Sequence, residues 1–159
     1  MQDAHVLLPD MELVSTLLTF PVLYRCRVSY FAVFDGHGGA RASQFAAENL
    51  HQILAKKFPV QNVDGLIRKC LLDTFRQTDE DFLKKASSQK PAWKDGSTVT
   101  CLLAVDDVVY VANLGDSRVG WVGPCAALVV DSSSNAHVFS CRLCSVGWSH
   151  REQEVVRSR

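Results

Sequence analysis

No stretch of this sequence is long and apolar enough to suggest a membrane span. Leu13 to Tyr24 comes nearest, at about twelve residues against the ~20 that a bilayer requires, and Ser15, Thr16, Thr19 and Pro21 interrupt it. Met1 to Pro9 has neither the cationic start nor the apolar run of a signal peptide, so a soluble protein of the cytoplasm or nucleus is the simplest expectation. An excess of charge is missing too. The 17 Lys and Arg residues balance 17 Asp and Glu, which leaves no global electrostatic ground for nucleic acid or membrane as partners. A disulfide framework is also lacking. Of the six cysteines, Cys70 lies in a helical pattern and Cys101 in a strand pattern, where reduced buried thiols are common. Cys125, Cys141 and Cys144 crowd into the last 41 residues, which marks a change of character along the chain. There is no internal repeat.

What remains is the composition of one globular domain: 159 residues, 47% hydrophobic and 21% charged. Val28 to Phe34 is β-branched and aromatic and stops at Asp35-Gly36, as a largely buried strand ending in a tight turn would. Ala42, Phe45, Ala46, Leu50, Ile53 and Leu54 recur at helical spacing before Pro59. A second helix is expected after Asp64, with Ile67, Leu71, Phe75, Phe82 and Leu83 as its buried stripe and Lys84 and Lys85 at its end. Ser87 to Gly96 reads as a polar loop. Ser97 to Val105 and Val108 to Leu114 read as a hairpin joined at Asp106-Asp107, and Val119 to Val122 as a further short strand. Helices grouped between hairpin-linked strands favour an α+β layered domain. Beyond Gly123 the pattern degrades. Cys141 to Trp148 has no clear period, and residues 149–159 are expected to be frayed.

Asp35-Gly36-His37-Gly38-Gly39 is the sharpest candidate site. A carboxylate at a strand end, followed by glycines that let the backbone approach a ligand, suits a hard cation, and a nearby His37 could protonate a leaving group. Asp and Gly are also standard turn residues, so the alternative is a turn aspartate beside an exposed histidine. Asp3, Lys94-Asp95-Gly96-Ser97-Thr98 and Gly115-Asp116-Ser117-Arg118 are each weak alone, for the same reason. Cys141-Xaa-Xaa-Cys144, with His137 and His150 nearby, is a poor match to zinc-site spacing and reads as an incidental group of thiols.

Taken in order, the motifs say more. Met-Gln-Asp-Ala-His, Tyr-Phe-Ala-Val-Phe-Asp-Gly-His-Gly-Gly, Asp-Gly-Ser-Thr and Ala-Asn-Leu-Gly-Asp-Ser-Arg together resemble a metal-dependent type-2C Ser/Thr protein phosphatase, over residues 1–8 and about 26–118. The resemblance implies an α-β-β-α sandwich of two antiparallel sheets flanked by helices, here incomplete. It implies two Mn²⁺ or Mg²⁺ ions, whose bridging water attacks phosphorus directly. Asp35 would bridge the ions, the Gly36 carbonyl would ligate one, and His37 would serve as general acid. Asp3 would orient waters, and Asp116 would join a weaker metal site. Phosphoserine and phosphothreonine proteins would be the substrates, with a kinase-associated signalling partner.

The sequence departs from that family at three places. The family's phosphate-binding arginine lies upstream of Met-Xaa-Asp, where this sequence begins, and Gln2 stands where many members have Glu. Residues 9–25 do not follow the family pattern, and Leu13 to Tyr24 reads as a replaced loop. After Arg118 the later metal-binding aspartates find no counterpart: the only carboxylates in 119–159 are Asp131, Glu152 and Glu154. Residues 1–118 are therefore expected to form a partial phosphatase domain and 119–159 a divergent, poorly ordered tail of truncated or alternatively spliced origin. Low or no activity is expected, with an inactive segment that binds the parent enzyme's partners as the alternative.

Overall fold

The structure, a computed structural model, describes residues 2–11, 13, 26–59, 64–117, 119–122, 127–130 and 137–142; in the last three strands it describes the backbone and, of side chains, Val138. Strand β1 is Ala4–Leu8, β2 is Val28–Phe34 and β3 is the two-residue Gly36–His37. Helices α1 (Arg41–Lys57) and α2 (Asp64–Ser87) follow, then β4 (Gly96–Ser97), β5 (Val99–Val105) and β6 (Val108–Leu114). The last strands are β7 (Val119–Val122), β8 (Ala127–Val130) and β9 (His137–Arg142). A five-stranded antiparallel sheet of order β1-β2-β5-β6-β9 is accompanied by two ribbons, β3-β4 and β7-β8. The fold class is α+β.

Alternation along the strands builds one core. Val28, Tyr30, Ala32 and Phe34 of β2 and Val99, Cys101, Leu103 and Val105 of β5 point to the same buried side. Leu50 and Leu54 of α1 and Ile67, Leu71 and Phe75 of α2 pack onto them, so both helices cover that face of the sheet. Opposite-face positions are more open, with Leu7 62% and Val33 56% exposed. The β5-β6 hairpin turns at Asp106, which takes φ 51°; its carboxylate accepts from the Arg27 amide and its own amide donates to the Arg27 carbonyl. Among the described residues no helix is long and apolar enough to cross a membrane.

Several elements differ from the sequence reading. Strand β1 is too short to stand out as a pattern, yet Ala4, Val6 and Leu8 pack against the core while His5 and Leu7 face away. The run from Ser97 to Val105 is two strands broken at Thr98, whose amide donates to the Asp35 carbonyl at 2.9 Å. Leu83 is not part of the buried stripe. It is 53% exposed, while Thr78, four residues before Phe82 and on its face, is buried and bonds back to the Thr74 carbonyl. Past Gly123, β8 and β9 form where the pattern had degraded. Strand β9 holds Cys141, pairs with β6 and places Val138 in the core. Most of Leu13 to Tyr24, together with Cys144, His150 and residues 149–159, lies outside the described residues.

Two outcomes follow from this core. Leu103→Ala, at a fully buried position, is expected to lower stability by about 2–5 kcal/mol in a urea titration. Burial pushes the Cys101 thiol up to about 12, whereas Cys26 is only partly buried. Peptide-mapped alkylation of the native chain at pH 8 should label Cys26 at least about 100-fold faster than Cys101. Equal rates would mean that the sheet opens readily at β5.

Candidate active site at the ends of the central strands

Sheet register brings the sequence candidates to one end of the molecule. The β1-β2 ladder ends at Ala4 opposite Phe34, so Asp3 and Asp35 hold facing backbone positions one step further on. On the other side of Asp35 lies Thr98, through the amide bond just described, and the Ser97 hydroxyl donates to the same Asp35 carbonyl at 3.2 Å. Across the hairpin, Val99 pairs with Leu114, which puts Gly115 and Asp116 at the adjacent strand end. Asp3, Asp35, His37 and Asp116 are exposed there, and Gly36 is buried.

Close packing explains the glycines. A methyl group on Gly36 would run into the Gln2 carbonyl and the Ser43 hydroxyl, which donates to that same carbonyl. Gly36 therefore lets the chain after β2 lie directly on the segment carrying Asp3. His37 pairs with Gly96 in the β3-β4 ribbon, and its ring occupies the space a Gly96 side chain would need. Gly38 (φ 71°) and Gly39 (φ 147°) then turn the chain into α1 through conformations that L side chains rarely adopt.

Sequence reasoning named Asp95 only as part of a weak motif and missed Arg41 and the pair the two form. The side chain of Asp95 is 0% exposed and that of Arg41 47%. Arg41 donates from Nε to Oδ2 at 2.9 Å and from a terminal nitrogen to Oδ1 at 2.6 Å, a two-pronged charge-assisted pair. Its backbone amide donates to Oδ2 as well, at 3.1 Å. Ala40, just before α1, has no side-chain cap, so a carboxylate 55 residues away in sequence does the capping. The Gly39 Cα sits against that carboxylate. Hydrogen bonding from Arg41 holds the Asp95 carboxyl below the usual carboxylate range. Only an Arg at a helix start and an Asp before Gly-Ser-Thr hinted at this in the sequence, and neither is diagnostic.

Asp116 is carried by a second buttressed turn. Asn113, fully buried, accepts from the Thr100 hydroxyl and donates to the Ser117 carbonyl, both at 2.6 Å. The Thr98 and Ser117 hydroxyls bond each other at 2.6 Å. Gly115 (φ 105°) makes the turn.

Comparison with known proteins bears on the family and the fold. The profile of the family described as "Protein phosphatase 2C" matches residues 1–135. The chain belongs to the protein phosphatase 2C family. It is 64% identical over 121 residues to the rat integrin-linked kinase-associated serine/threonine phosphatase 2C, which covers 74% of this chain and 30% of that relative. The probable protein phosphatase 2C 8 of Arabidopsis thaliana is 40% identical over 120 residues, covering 74% of this chain and 32% of the relative. The chain thus spans about a third of the length of the curated relatives it matches. A bacterial serine phosphatase bearing an R161A mutation shares the fold at TM-score 0.64 and 18% identity, over 89% of this chain and 64% of that one.

The resemblance of the motifs implies a site for divalent ions. Among the described residues, no three His, Cys, Asp or Glu side chains lie close enough to hold an ion together. Asp35 and Asp3, exposed at facing positions of the strand end, are two carboxylates that could share a single hard cation keeping most of its water. Among the described residues, Asp3 and Asp35 alone would offset the mutual repulsion of a pair of ions poorly.

Asp95→Asn should lower the melting temperature, because the residue holds the start of α1 against the segment before β4. The pH dependence has a definite sign. The folded-state pKa of Asp95 is lowered, so its contribution is complete above the ordinary carboxylate range and is lost as pH falls through the folded value. Thermal melts of the two proteins should differ through the ordinary carboxylate range and converge only in stronger acid, as pH falls through the lowered value of Asp95. A gap that persists unchanged into strong acid would show that the pair with Arg41 is not what Asp95 contributes.

Proposed function

We propose that this chain carries part of a metal-dependent protein serine/threonine phosphatase site, hydrolysing phosphoserine and phosphothreonine esters with low or no activity on its own. The observation behind this reading is the Asp35-Gly36-His37 turn at the end of a central strand, facing Asp3 across the β1-β2 ladder. Asp35 and the Gly36 carbonyl would hold Mn²⁺ or Mg²⁺. When bound, the ion supplies a water of lowered pKa and neutralises charge on the phosphoryl oxygens. Asp3 would orient metal-bound water at the strand end, and Asp116 would offer a carboxylate for a further, weaker cation. His37 stands exposed on a short ladder, where it can hand a proton to the departing seryl or threonyl oxygen. The relatives named as integrin-linked kinase-associated phosphatases support a kinase-associated signalling partner; the cytoplasm or nucleus is where this reading would place the chain.

One observation favours a second reading. Residues 119–159 carry only Asp131, Glu152 and Glu154 as carboxylates, none in the context of the later metal-binding motifs, which favours an inactive phosphatase-derived segment that binds partners of the complete enzyme.

The deciding assay is phosphate release from a phosphothreonine peptide with and without Mn²⁺. The expected outcome is slow release that needs Mn²⁺ and falls to background in Asp35→Asn. Release indifferent to both would sink the proposed site, and no release from demonstrably folded chain would leave the binding reading.

A further inference from the structure

We infer that the loop between α2 and β4 is a recognition rim for acidic residues flanking the phosphorylated residue of a substrate, read by Lys90 and Lys94. This rests on the phosphatase reading above and adds a substrate class to it.

The sequence is balanced in charge as a whole, but residues 84–95 hold four lysines and a single carboxylate, Asp95. That carboxylate is buried against Arg41 and offers no counter-charge at the surface. Lys84 lies 3.8 Å from Asp81, and Lys85 leans over the Phe45 ring at 5.1 Å. Lys90 and Lys94 are exposed and have no acidic partner among the described residues.

The loop is also anchored. The Trp93 and Gln89 amides both donate to the Ala86 carbonyl at 3.3 Å. The Trp93 ring meets Phe82 at 6.3 Å between centroids and carries the Arg41 guanidinium 4.9 Å from its own centre. Phe82 in turn packs on Phe45 of α1, 5.6 Å away. These contacts reduce the ordering cost that a free loop would add on binding. They also set its position. The Lys94 carbonyl lies 3.1 Å from where a Gly38 side chain would begin, so the lysine-bearing loop abuts the turn that carries His37.

Charge then dictates the partner. The strand ends present Asp3, Asp35 and Asp116, which attract a cation and repel acidic side chains. A phosphopeptide with acidic flanks would be turned away unless its carboxylates fall on the side of Lys90 and Lys94. That side selects both the sequence and its register across the site. Two lysines on a short loop make a small electrostatic footprint for a nucleic acid, and the loop's aromatic ring is engaged by Phe82 and Arg41 rather than set out as a stacking platform.

The test is fluorescence anisotropy with the full chain, Mn²⁺ and two labelled phosphothreonine peptides of equal length, one with Asp and Glu flanks and one with Gln and Ser flanks. The acidic peptide should bind about fivefold tighter at low salt, the scale of two exposed ion pairs. That preference should shrink in 0.5 M NaCl and vanish in Lys90→Glu/Lys94→Glu, with Lys90→Gln/Lys94→Gln intermediate and both variants melting as the parent does. Equal binding of the two peptides, with Mn²⁺ and Asp35 dependence retained, would overturn the inference and leave the phosphatase reading standing. Binding of neither peptide, with no Mn²⁺ dependence, would remove both. An RNA oligonucleotide that binds as tightly as the acidic peptide, and loses affinity equally in the lysine variants, would replace the inference with a general polyanion surface.

Discussion

A single buried carboxylate fixes the geometry on which the candidate site depends. Asp95 is removed from water, and a charge in that position is tolerated only when paired and hydrogen-bonded. Arg41 meets the requirement with three donors, two from its guanidinium and one from its backbone. These donors serve two constraints. The backbone bond fixes where α1 begins, and the side-chain bonds fix how α1 sits against the β4 segment. Gly39, pressed on the same carboxylate, fixes the path between β3 and α1. Because α1 also supplies Leu50 and Leu54 to the core, the position of the site is tied to the packing of the whole helical layer.

Register does the rest. In an antiparallel sheet a shift of one residue reverses every side chain, so the buried alternation on β2 and β5 leaves no freedom in how far each strand extends. Once Tyr30, Phe34, Leu103 and Tyr110 are inside, Asp3, Asp35, Thr98 and Gly115 fall into one row at the strand ends. The acidic end of the molecule is thus a consequence of core packing. The polar turns add orientation: Asn113, Thr98 and Ser117 hold the Asp116 turn through hydrogen bonds that exclude alternatives, since a buried Asn113 left unpaired would be costly.

How much of this could be read from the residues differs by feature. The long elements were legible because their apolar period is strong: β2, α1, α2 and the β5-β6 hairpin all lie where the pattern puts them. Leu83 was misplaced because two adjacent apolar residues, Phe82 and Leu83, cannot both face one core line, and only packing decides between them. Strands β3 and β4 were invisible, as two residues carry no period. The Asp35 turn was legible through its place in an ordered set of motifs, since Asp and Gly alone are standard turn residues. The Arg41-Asp95 pair was not, since it joins residues far apart in sequence through chemistry that any surface Arg and Asp also possess.

Strand β9 shows why membership of a fold and completeness of a site are separate matters. The outer edge of β6 presents backbone N–H and C=O groups that need partners. Those groups are the same whatever side chains the incoming strand carries. His137–Arg142 satisfies them in regular antiparallel register and contributes Val138 to the core, although its sequence shows no clear period. Backbone pairing can therefore extend the sheet across a region where the motif pattern has stopped. Metal binding has no such tolerance, because it requires carboxylates at particular positions, and β9 brings His137 and Arg142 but no acidic residue. A chain can in this way keep the sheet, the helical layer and the Asp35 turn, while the donors for a second ion depend on residues that pairing alone does not select.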